Sequence, residues 1–328
     1  MTRSAVVTVN YNSEKDTAVC MASLAQTDFP PLVALVDNGS KDQSIENLLP
    51  DYPWLKIIKS KTNLGFGRGN NLGIRWLLRN TNCEFIFLLN NDATVKPDTL
   101  RLLEDAMDSV NKAGMVAPRI LLMENPDKLW YGGGSINWYR GTASVPGIPG
   151  PADSKTALSS RAVSFASGCA MLIRRTVLEQ IGGFDPRLFM YEEDLEFCLR
   201  VNKAGRLIQY VPEAIVLHKL HGSHPYRKQK EKMIPARNPD NPDLAFFLNN
   251  MIRNRLLNMY VHARGLHALQ FCVGFPIFFI LDCIRYMTAH RIDAVRAMLR
   301  GIADFFKLRR LNYTNELEDS RTDDRPVE

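Results

Sequence analysis

The chain has 328 residues, 45% of them hydrophobic and 23% charged, which is the composition of a globular protein able to bury a sizeable core. The net charge of +6 suits a nucleotide diphosphate, an anionic membrane surface or a nucleic acid, and it does not choose among them. The six cysteines form no Cys-x-x-Cys pair, which argues against a zinc ribbon or a thioredoxin-like site and indicates reduced thiols in a cytoplasmic protein.

The first part of the chain alternates apolar runs with helical patterns. The apolar runs are residues 5–9, 32–36, 55–58 and 85–89, and helical patterns lie at 13–25 and 66–78. The first run is too short for a signal peptide and predicts a strand. Apolar strands separated by helices are typical of an α/β fold with a mostly parallel sheet and helices on both faces. Ligands of such sheets bind at the carboxyl ends of the strands.

The remaining pattern completes this α/β unit and then changes character. The predicted elements are a loop rich in Gly, Pro, Ser and Ala at 141–160, a strand at 170–173, a helix at 193–204 and strands at 207–211 and 214–217. A polar, proline-rich break follows at 235–242. We predict three parts: an α/β domain at 1–234, a helical region at 242–311 and a polar, disordered tail at 312–328.

Two polar clusters directly follow predicted strands. Asp37 lies in the turn sequence VDNGSKD, where a carboxylate either binds a pyrimidine base or caps the next helix. Asn90, Asn91 and Asp92 follow the run at 85–89, and polar groups at the end of a buried strand are costly unless used. Asp92 suits a hard cation such as Mg²⁺ or Mn²⁺, and the alternative is a helix cap.

The glycine-rich stretch NLGFGRGNNLG, residues 63–73, matches neither a dinucleotide fingerprint nor a P-loop. It predicts a turn leading into a helix, with Asn70 and Asn71 near the start of that helix. Side chains pointing at a nucleotide would be an added role.

Acidic residues concentrate at the start of the predicted helix at 193–204. Acidic side chains in the first turn of a helix are stabilised by the helix dipole. Asp194 has helical spacing to Phe197 and Cys198, so we expect it to face inward as a general base, with Glu192 and Glu193 solvated.

Three histidines lie within seven positions downstream. His218 ends a strand-like run, and His221 and His224 follow in a polar loop. A lone histidine is usually structural. Three histidines this close together favour a metal site but do not prove one.

Taken in order, these segments resemble the family-2 inverting glycosyltransferases of the GT-A fold, and among them the bacterial rhamnosyltransferase-type members. The matching stretches are VTVNYN (7–12), VDNGSKD (36–42), NLGFGRGNNLG (63–73), LLNND (88–92), SGCAMLIRR (167–175), GGFDPRLFMYEEDLEFCLR (182–200) and VPEAIVLH (211–218). The ordered set is specific, although no single motif is. The domain at 1–234 would be the catalytic GT-A domain.

The resemblance implies a role for each site residue. The implied donor-binding residues are Asn10, Tyr11, Asp37, Asn70, Asn90, Asn91 and Gly168, with Asp37 at the base. Asp92 matches the last carboxylate of the family's Asp-x-Asp motif, whose first position is Asn90 here, and His218 would complete the metal site. Asp194 matches the catalytic base, and Glu196 is a secondary candidate at a position that is usually Asp.

The same resemblance implies the reaction. A sugar, rhamnose from dTDP-rhamnose, would move with inversion onto a hydroxyl of a glycan or lipid-linked acceptor in cell-surface polysaccharide synthesis. UDP-linked galactofuranose or N-acetylhexosamine stays open as the donor. Mg²⁺ or Mn²⁺ would stabilise the charge of the leaving diphosphate, while Asp194 removes the acceptor proton.

The helical region at 242–311 interleaves many arginines with apolar residues. Its most apolar stretch, 269–284, is interrupted by Gln270, Pro276 and Asp282 and is short for a membrane span. Basic amphipathic helices suit an anionic membrane surface, which predicts a cytoplasmic enzyme attached peripherally to the inner face of the cell membrane. The alternative is packing on the catalytic domain or on the second subunit of a homodimer. Nucleic acid is not expected, because the basic residues interleave with a long apolar surface.

Two other functions stay open. A sugar-1-phosphate nucleotidyltransferase shares a similar sheet, but it needs a Gly-rich, Arg-containing loop near the N-terminus that this sequence lacks. A non-catalytic nucleotide-sugar or membrane-binding protein of the same fold is the second, and Asn90 is its best argument.

Overall fold

The computed structural model describes residues 3–41, 44–148, 150–220 and 241–317. Its strands are β1 (Ser4–Asn10), β2 (Val33–Asn38), β3 (Leu55–Ser60), β4 (Phe85–Leu89), β5 (Ala93–Val95), β6 (Ala113–Leu122), β7 (Asn125–Tyr131), β8 (Ser135–Asn137), β9 (Thr142–Ser144), β10 (Gly150–Pro151), β11 (Arg161–Val163), β12 (Ala170–Arg174) and β13 (Leu207–His218). Its helices are α1 (Glu14–Ala25), α2 (Phe66–Asn80), α3 (Thr99–Ser109), α4 (Arg175–Ile181), α5 (Glu193–Lys203), α6 (Leu244–His262), α7 (Gly265–Thr288) and α8 (Ile292–Leu308), with a short 3₁₀ helix at Ser44–Leu48.

One large mixed sheet forms the centre of the chain up to His218. Its strands follow the order β10-β7-β6-β12-β4-β1-β2-β3, and β13 runs parallel to β6 and also pairs with β5 and β11. The four strands β3, β2, β1 and β4 are parallel to one another, whereas β12 is antiparallel to β4. The α/β architecture with a mostly parallel central sheet, predicted from the apolar runs, is confirmed.

The parallel strands are apolar because helices cover them. Val6 and Val7 on β1 and Phe87 on β4 are fully buried. Helix α2 lies close to the sheet because Gly73 has no side chain; a Cβ there would stand 2.6 Å from a methyl group of Val7. The helices cover the faces of the sheet. They leave the carboxyl ends of these strands open at one edge, where the polar clusters lie.

Two predicted segments differ from the structure. Residues 207–218 form one continuous strand rather than two. Its pairing with β6 shifts register between Val211 and Ile215, because Pro212 has no N–H to donate and the chain bulges there. The segment at 141–160, predicted as a loop, contains the short strands β9 and β10, and Ala157 within it is fully buried.

Helices α6, α7 and α8 follow the break at 235–242, most of which lies outside the described residues, as do Asp42, His221 and His224. Helix α6 packs against α8 through an apolar cluster of its own that includes Leu244, Phe247 and Met298.

The start of the tail at 312–328 is ordered, in contrast to the prediction. Glu316 accepts hydrogen bonds from Arg68 at 2.8 Å and from Asn71 at 3.1 Å, so the segment up to Leu317 docks on helix α2. Charged and amide partners on α2 compensate for the low apolar content on which the prediction of disorder rested. Residues 318–328 lie outside the description.

Helix α7 has the length and composition of a membrane-crossing helix, the one such helix in the described part of the chain. The helix extends over Gly265–Thr288, whereas the apolar stretch at 269–284, taken alone, was expected to be short for a membrane span. Gly274 and Tyr286 are its buried residues.

Candidate active site

The carboxyl ends of β1, β2 and β4 and the start of β12 enclose a cavity of about 450 Å³. Strand β12 begins beside the end of β4, where the N–H of Asn90 donates to the carbonyl of Cys169 at 2.8 Å. This pairing brings the segment Ser167–Cys169 next to Asn90, although about 80 residues of sequence separate them.

Most of the residues singled out in the sequence lie on the wall of this cavity. They are Tyr11, Asn70, Asn90, Asn91, Asp92, Gly168, Asp194 and His218. Asn70 reaches the cavity from the first turn of α2 and donates to the carbonyl of Phe66 at 3.0 Å. The turn before that helix forms because Gly65 adopts φ +82°, and a Cβ there would collide with the carbonyl of Phe189.

Asn10 and Asp37 do not line the cavity, although they face each other in the β1–β2 register. Asn10 is fully buried and donates to the hydroxyl of Ser40 at 3.1 Å. Asp37 accepts from the N–H of Ser40, three residues on, at 3.2 Å and so holds the turn after β2. Asn38, the last residue of β2, lines the cavity instead.

Asn91 also has a structural partner. Its amide donates to the hydroxyl of Thr17 at 3.0 Å, and that hydroxyl in turn donates to Asn10 at 2.9 Å. This network ties the end of β1 to the loop after β4 and keeps both loops in place at the rim of the cavity.

Asp92 and His218 form a buried pair on the cavity wall. Nε2 of His218 lies 3.0 Å from Oδ1 of Asp92, because β13 pairs with β5 so that His218 stands opposite Ala93. Burial lowers the pKa of His218, but the neighbouring Cys169 and the Asp92 carboxylate together raise it to about 10. Burial raises the pKa of Asp92, yet the hydrogen bond and charge of His218 leave it below its ordinary value.

This pair suits a divalent cation only in company with a ligand. Within the described ranges no cluster of three or more His, Cys, Asp and Glu side chains could hold an ion alone. One carboxylate oxygen and one imidazole nitrogen fit an ion that takes its other ligands from phosphate oxygens and water. Nδ1 of His218 is buried and has no hydrogen-bond partner among the described residues.

Asp194 is held by two backbone N–H groups. Gly168 donates to its Oδ2 at 3.1 Å, and Leu195 donates to its Oδ1 at 2.8 Å. Burial raises the pKa of Asp194, and these two N–H groups only partly oppose the shift. A partly buried carboxylate with a raised pKa at the wall of a cavity is the arrangement a general base requires.

The prediction that Glu192 and Glu193 are solvated is wrong. Glu193 is buried and the side chain of Glu192 is only 7% exposed, because helix α6, which lies 66 residues further along the chain at Asn258, covers this loop. Glu193 lines the cavity, its Oε2 has no hydrogen-bond partner in the described chain, and burial raises its pKa well above the ordinary value. Burial, partly offset by the charge of Arg255, raises the pKa of Glu192 to about 7.

Glu196, the secondary candidate for the base, has other partners. It pairs with Arg200 at 2.7 Å and with His262 at 3.0 Å, and these charges outweigh burial and bring its pKa down to about 2. It is absent from the cavity wall. Glu196 therefore serves to anchor helix α5.

Several cavity residues were not singled out in the sequence. They include Asn38, Asn63, Trp130, Ser167, Met190 and Tyr191. The Trp130 ring meets the His218 ring edge to face at 4.7 Å. Trp130 lies in β7, between β10 and β6, in a segment with no motif, and only the tertiary fold brings it to the site.

The comparison with known proteins settles the family. The family model "Glycosyl transferase family 2" matches residues 5–182. The chain belongs to glycosyl transferase family 2. This glycosyltransferase has curated relatives that align over most of its catalytic half.

One relative is the N-acetylglucosaminyl-diphospho-decaprenol L-rhamnosyltransferase of Mycobacterium tuberculosis, 31% identical over 67% of this chain and 76% of the relative. Another is the low-salt glycan biosynthesis hexosyltransferase Agl10 of Haloferax volcanii, 30% identical over 60% of this chain and 61% of the relative. Among solved structures, GalNAc-T7 with UDP, GalNAc and Mn²⁺ superposes with a TM-score of 0.58 at 15% identity, over 80% of this chain and 48% of that one. The glycosyltransferase therefore has the GT-A fold and is rhamnosyltransferase-like in sequence.

Proposed function

We propose that this glycosyltransferase moves rhamnose from dTDP-rhamnose, with inversion, onto a hydroxyl of a lipid-linked or glycan acceptor. The likeness to the mycobacterial rhamnosyltransferase supports the sugar and the lipid-linked acceptor. The carrying observation is that Asp194 and the Asp92–His218 pair line one cavity. A base and a diphosphate-binding group in the same cavity meet the needs of one displacement reaction.

In this proposal the cavity residues divide between donor and acceptor. Tyr11, Asn38 and Asn70 bind the nucleotide, and Asp92 with His218 would hold Mg²⁺ or Mn²⁺ against the diphosphate. The ion would supply positive charge for the oxygens of the leaving diphosphate. Asn90 replaces an aspartate of the family motif, so the site carries one fewer negative charge and holds the ion more weakly in the absence of nucleotide.

Asp194 is the proposed base. Its carboxylate accepts the proton of the acceptor hydroxyl while that oxygen attacks the anomeric carbon from the face opposite the diphosphate, which inverts the configuration. The N–H groups of Gly168 and Leu195 hold the carboxylate oxygens in place, so little reorganisation accompanies the transfer.

The exposed face of α7 supports attachment in the plane of a membrane, on the cytoplasmic side. Trp138 stacks on His267 at 4.0 Å, and Arg140 lies over Phe278 at 4.3 Å and 4.0 Å from Asp282. These contacts run along much of one side of the helix and hold it beside the catalytic domain. The opposite side exposes Leu266, Leu269, Val273, Ile277, Ile280, Leu281, Ile284 and Met287. A helix held lengthwise against a polar domain lies in the interface rather than across the bilayer.

A donor screen tests the proposal. Thermal shift would be measured with dTDP-rhamnose, UDP-N-acetylglucosamine, UDP-galactofuranose and GDP-mannose, each with Mg²⁺ and with Mn²⁺. We expect dTDP-rhamnose to stabilise the protein most and to be transferred to N-acetylglucosaminyl diphosphoprenol, with an inverted anomeric centre by NMR. Binding of a nucleotide sugar with neither transfer nor hydrolysis would favour a non-catalytic binding protein.

A further inference from the structure

We propose that helix α6 is part of the catalytic machinery, and that Asn254 and Asn258 are positioning residues for Asp194. This inference rests on the proposed role of Asp194 as the base. It gives the C-terminal helical region a function in the chemistry itself, beyond attachment to a membrane or a partner.

The loop that leads into Asp194 has an unfavourable backbone conformation. Tyr191 and Glu192 are consecutive non-glycine residues with φ of 70° and 67°. Left-handed backbone is disfavoured for L-residues with a side chain, and two in succession persist only when the surroundings hold them. The loop sets the first turn of α5, which carries Asp194 and Glu193 into the cavity.

Side-chain amides of α6 hold this loop through its carbonyl groups. Asn254 donates to the carbonyls of Met190 at 3.0 Å and Tyr191 at 2.7 Å. Asn258 donates to the carbonyl of Glu192 at 2.9 Å. Three successive carbonyls of the loop thus accept hydrogen bonds from one helix, and the carbonyl of Glu192 also accepts from the N–H of Glu196 in α5 at 3.0 Å.

The spacing of the donors matches one face of a helix. Asn254, Asn258 and His262 are four residues apart, so they lie on successive turns of the same face. His262 extends the row to Glu196 at 3.0 Å, one turn into α5. Both asparagines are almost fully buried, at 0% and 1% exposure, so their amides depend on the loop carbonyls as acceptors, and an alanine at either position removes a donor from the loop.

Arg255 adds a charge contact beside the amides. It lies 3.7 Å from Glu192 and is itself buried. Arg255 contacts the side chain of Glu192 and Asn258 contacts its carbonyl, so α6 fixes both parts of this residue. Asp194 follows two residues later, and its position depends on how this loop is held.

The test compares Asn254→Ala and Asn258→Ala with Asn250→Ala. Asn250 lies on the same helix and is also buried, at 4% exposure, but it donates to Phe246 of its own helix at 2.9 Å and not to the loop. The readouts are kcat and KM for transfer from the donor that the wild type uses, the Kd of dTDP or UDP with Mn²⁺, the melting temperature and amide exchange of residues 190–195.

We expect Asn254→Ala and Asn258→Ala, the two loop-contact variants, each to lower kcat about 10- to 100-fold, because a small displacement of a base costs that much. Amide exchange at 190–195 should rise, while nucleotide Kd stays within about twofold. Asn250→Ala should lower the melting temperature to a similar degree and leave kcat within about twofold. If Asn254→Ala does not fold, Asn258→Ala, which removes a single hydrogen bond, carries the test.

Asp194→Asn in the same assay separates the two proposals. If Asp194→Asn is inactive while Asn254→Ala and Asn258→Ala keep wild-type kcat and exchange, the positioning role of α6 is wrong and the base stands. If Asp194→Asn is fully active, the proposed base is wrong whatever the asparagine variants do. A fall in kcat of the Asn250→Ala control equal to that of the loop-contact variants would show a general effect of destabilising α6 and would also overturn the inference.

Discussion

The backbone N–H of Gly168 donates a hydrogen bond of 3.1 Å to Oδ2 of Asp194. This contact joins the loop before β12 to the first turn of α5, and the fit at Gly168 is tight, because a Cβ there would stand 3.1 Å from the Phe66 ring and 3.4 Å from Cβ of Asp194. Two segments that are distant in sequence therefore meet at one carboxylate.

The first prediction concerns the pH dependence of transfer. Burial raises the pKa of Asp194, so the base is protonated and inactive at low pH, and kcat/KM should rise with pH through an apparent pKa above the ordinary aspartate value of 3.8. Glu193 and Glu192 lie in the same loop, so the apparent pKa belongs to the group of carboxyls. The measurement is kcat/KM between about pH 4 and 9, with the melting temperature followed at each pH to separate titration from unfolding.

Asp194→Asn is the matched variant for that profile. Loss of a general base lowers rate by about 10²- to 10⁴-fold, and the acidic limb of the profile should disappear with it. Nucleotide binding should persist, because the nucleotide contacts lie elsewhere on the cavity wall. An unchanged acidic limb in this variant would assign the titration to another group.

The second prediction concerns Glu193, which presents a buried Oε2 without a partner in the described chain to the cavity. Burial and the charge of Asp194 raise its pKa well above the ordinary value, which favours the neutral acid, the form that can donate to a sugar hydroxyl. Glu193→Gln keeps the shape and a donor and should stay within about threefold of wild-type kcat/KM. Glu193→Ala should lose about tenfold, mainly in KM, the worth of one hydrogen bond. An equal loss in both variants would mean that the ionised form is needed.

The sequence predicted those site residues whose position follows from strand ends. Asp92 and His218 come directly after or at the end of apolar strands, and parallel strands with their neighbours bring such ends to one edge. Asn10 satisfies the same rule and yet points away from the cavity, because the hydroxyls of Thr17 and Ser40 capture its amide. Local polar partners of that kind cannot be deduced from periodicity.

The burial of Glu192 and Glu193 was not predictable from their own segment, where acidic residues at a helix start look solvated. The cover comes from α6, where asparagines recur at 250, 254 and 258 among apolar residues and two arginines. Buried amides require acceptors, which Asn250 finds at Phe246 of its own helix and which Asn254 and Asn258 find on the loop before α5. The spacing alone does not distinguish these two cases, so only the tertiary fold shows the contact with the active site.

The third prediction concerns the metal requirement. His218→Gln removes one of the two proposed protein ligands, so the Mn²⁺ concentration for half-maximal activity should rise at least about tenfold. His262→Gln is the control: that imidazole also lies 3.0 Å from a carboxylate, that of Glu196, but it is not on the cavity wall. It should leave the half-maximal Mn²⁺ concentration unchanged. Activity that survives EDTA treatment in the wild type would remove the metal from the proposal.

The fourth prediction concerns the exposed side of α7. Leu269 and Ile280 are 61% and 56% exposed, and each would contribute about 1.5–3 kcal/mol if it entered lipid. Leu269→Glu and Ile280→Glu should therefore each weaken co-sedimentation with phosphatidylglycerol vesicles about tenfold or more. Val19→Glu is the control, because Val19 is 52% exposed on α1, away from α7. Arginines around α7 and α8 predict weaker binding to phosphatidylcholine alone and at high salt. A dimer of the wild type in solution that Leu269→Glu dissociates, with vesicle binding unaffected, would instead identify this face as a contact between two subunits.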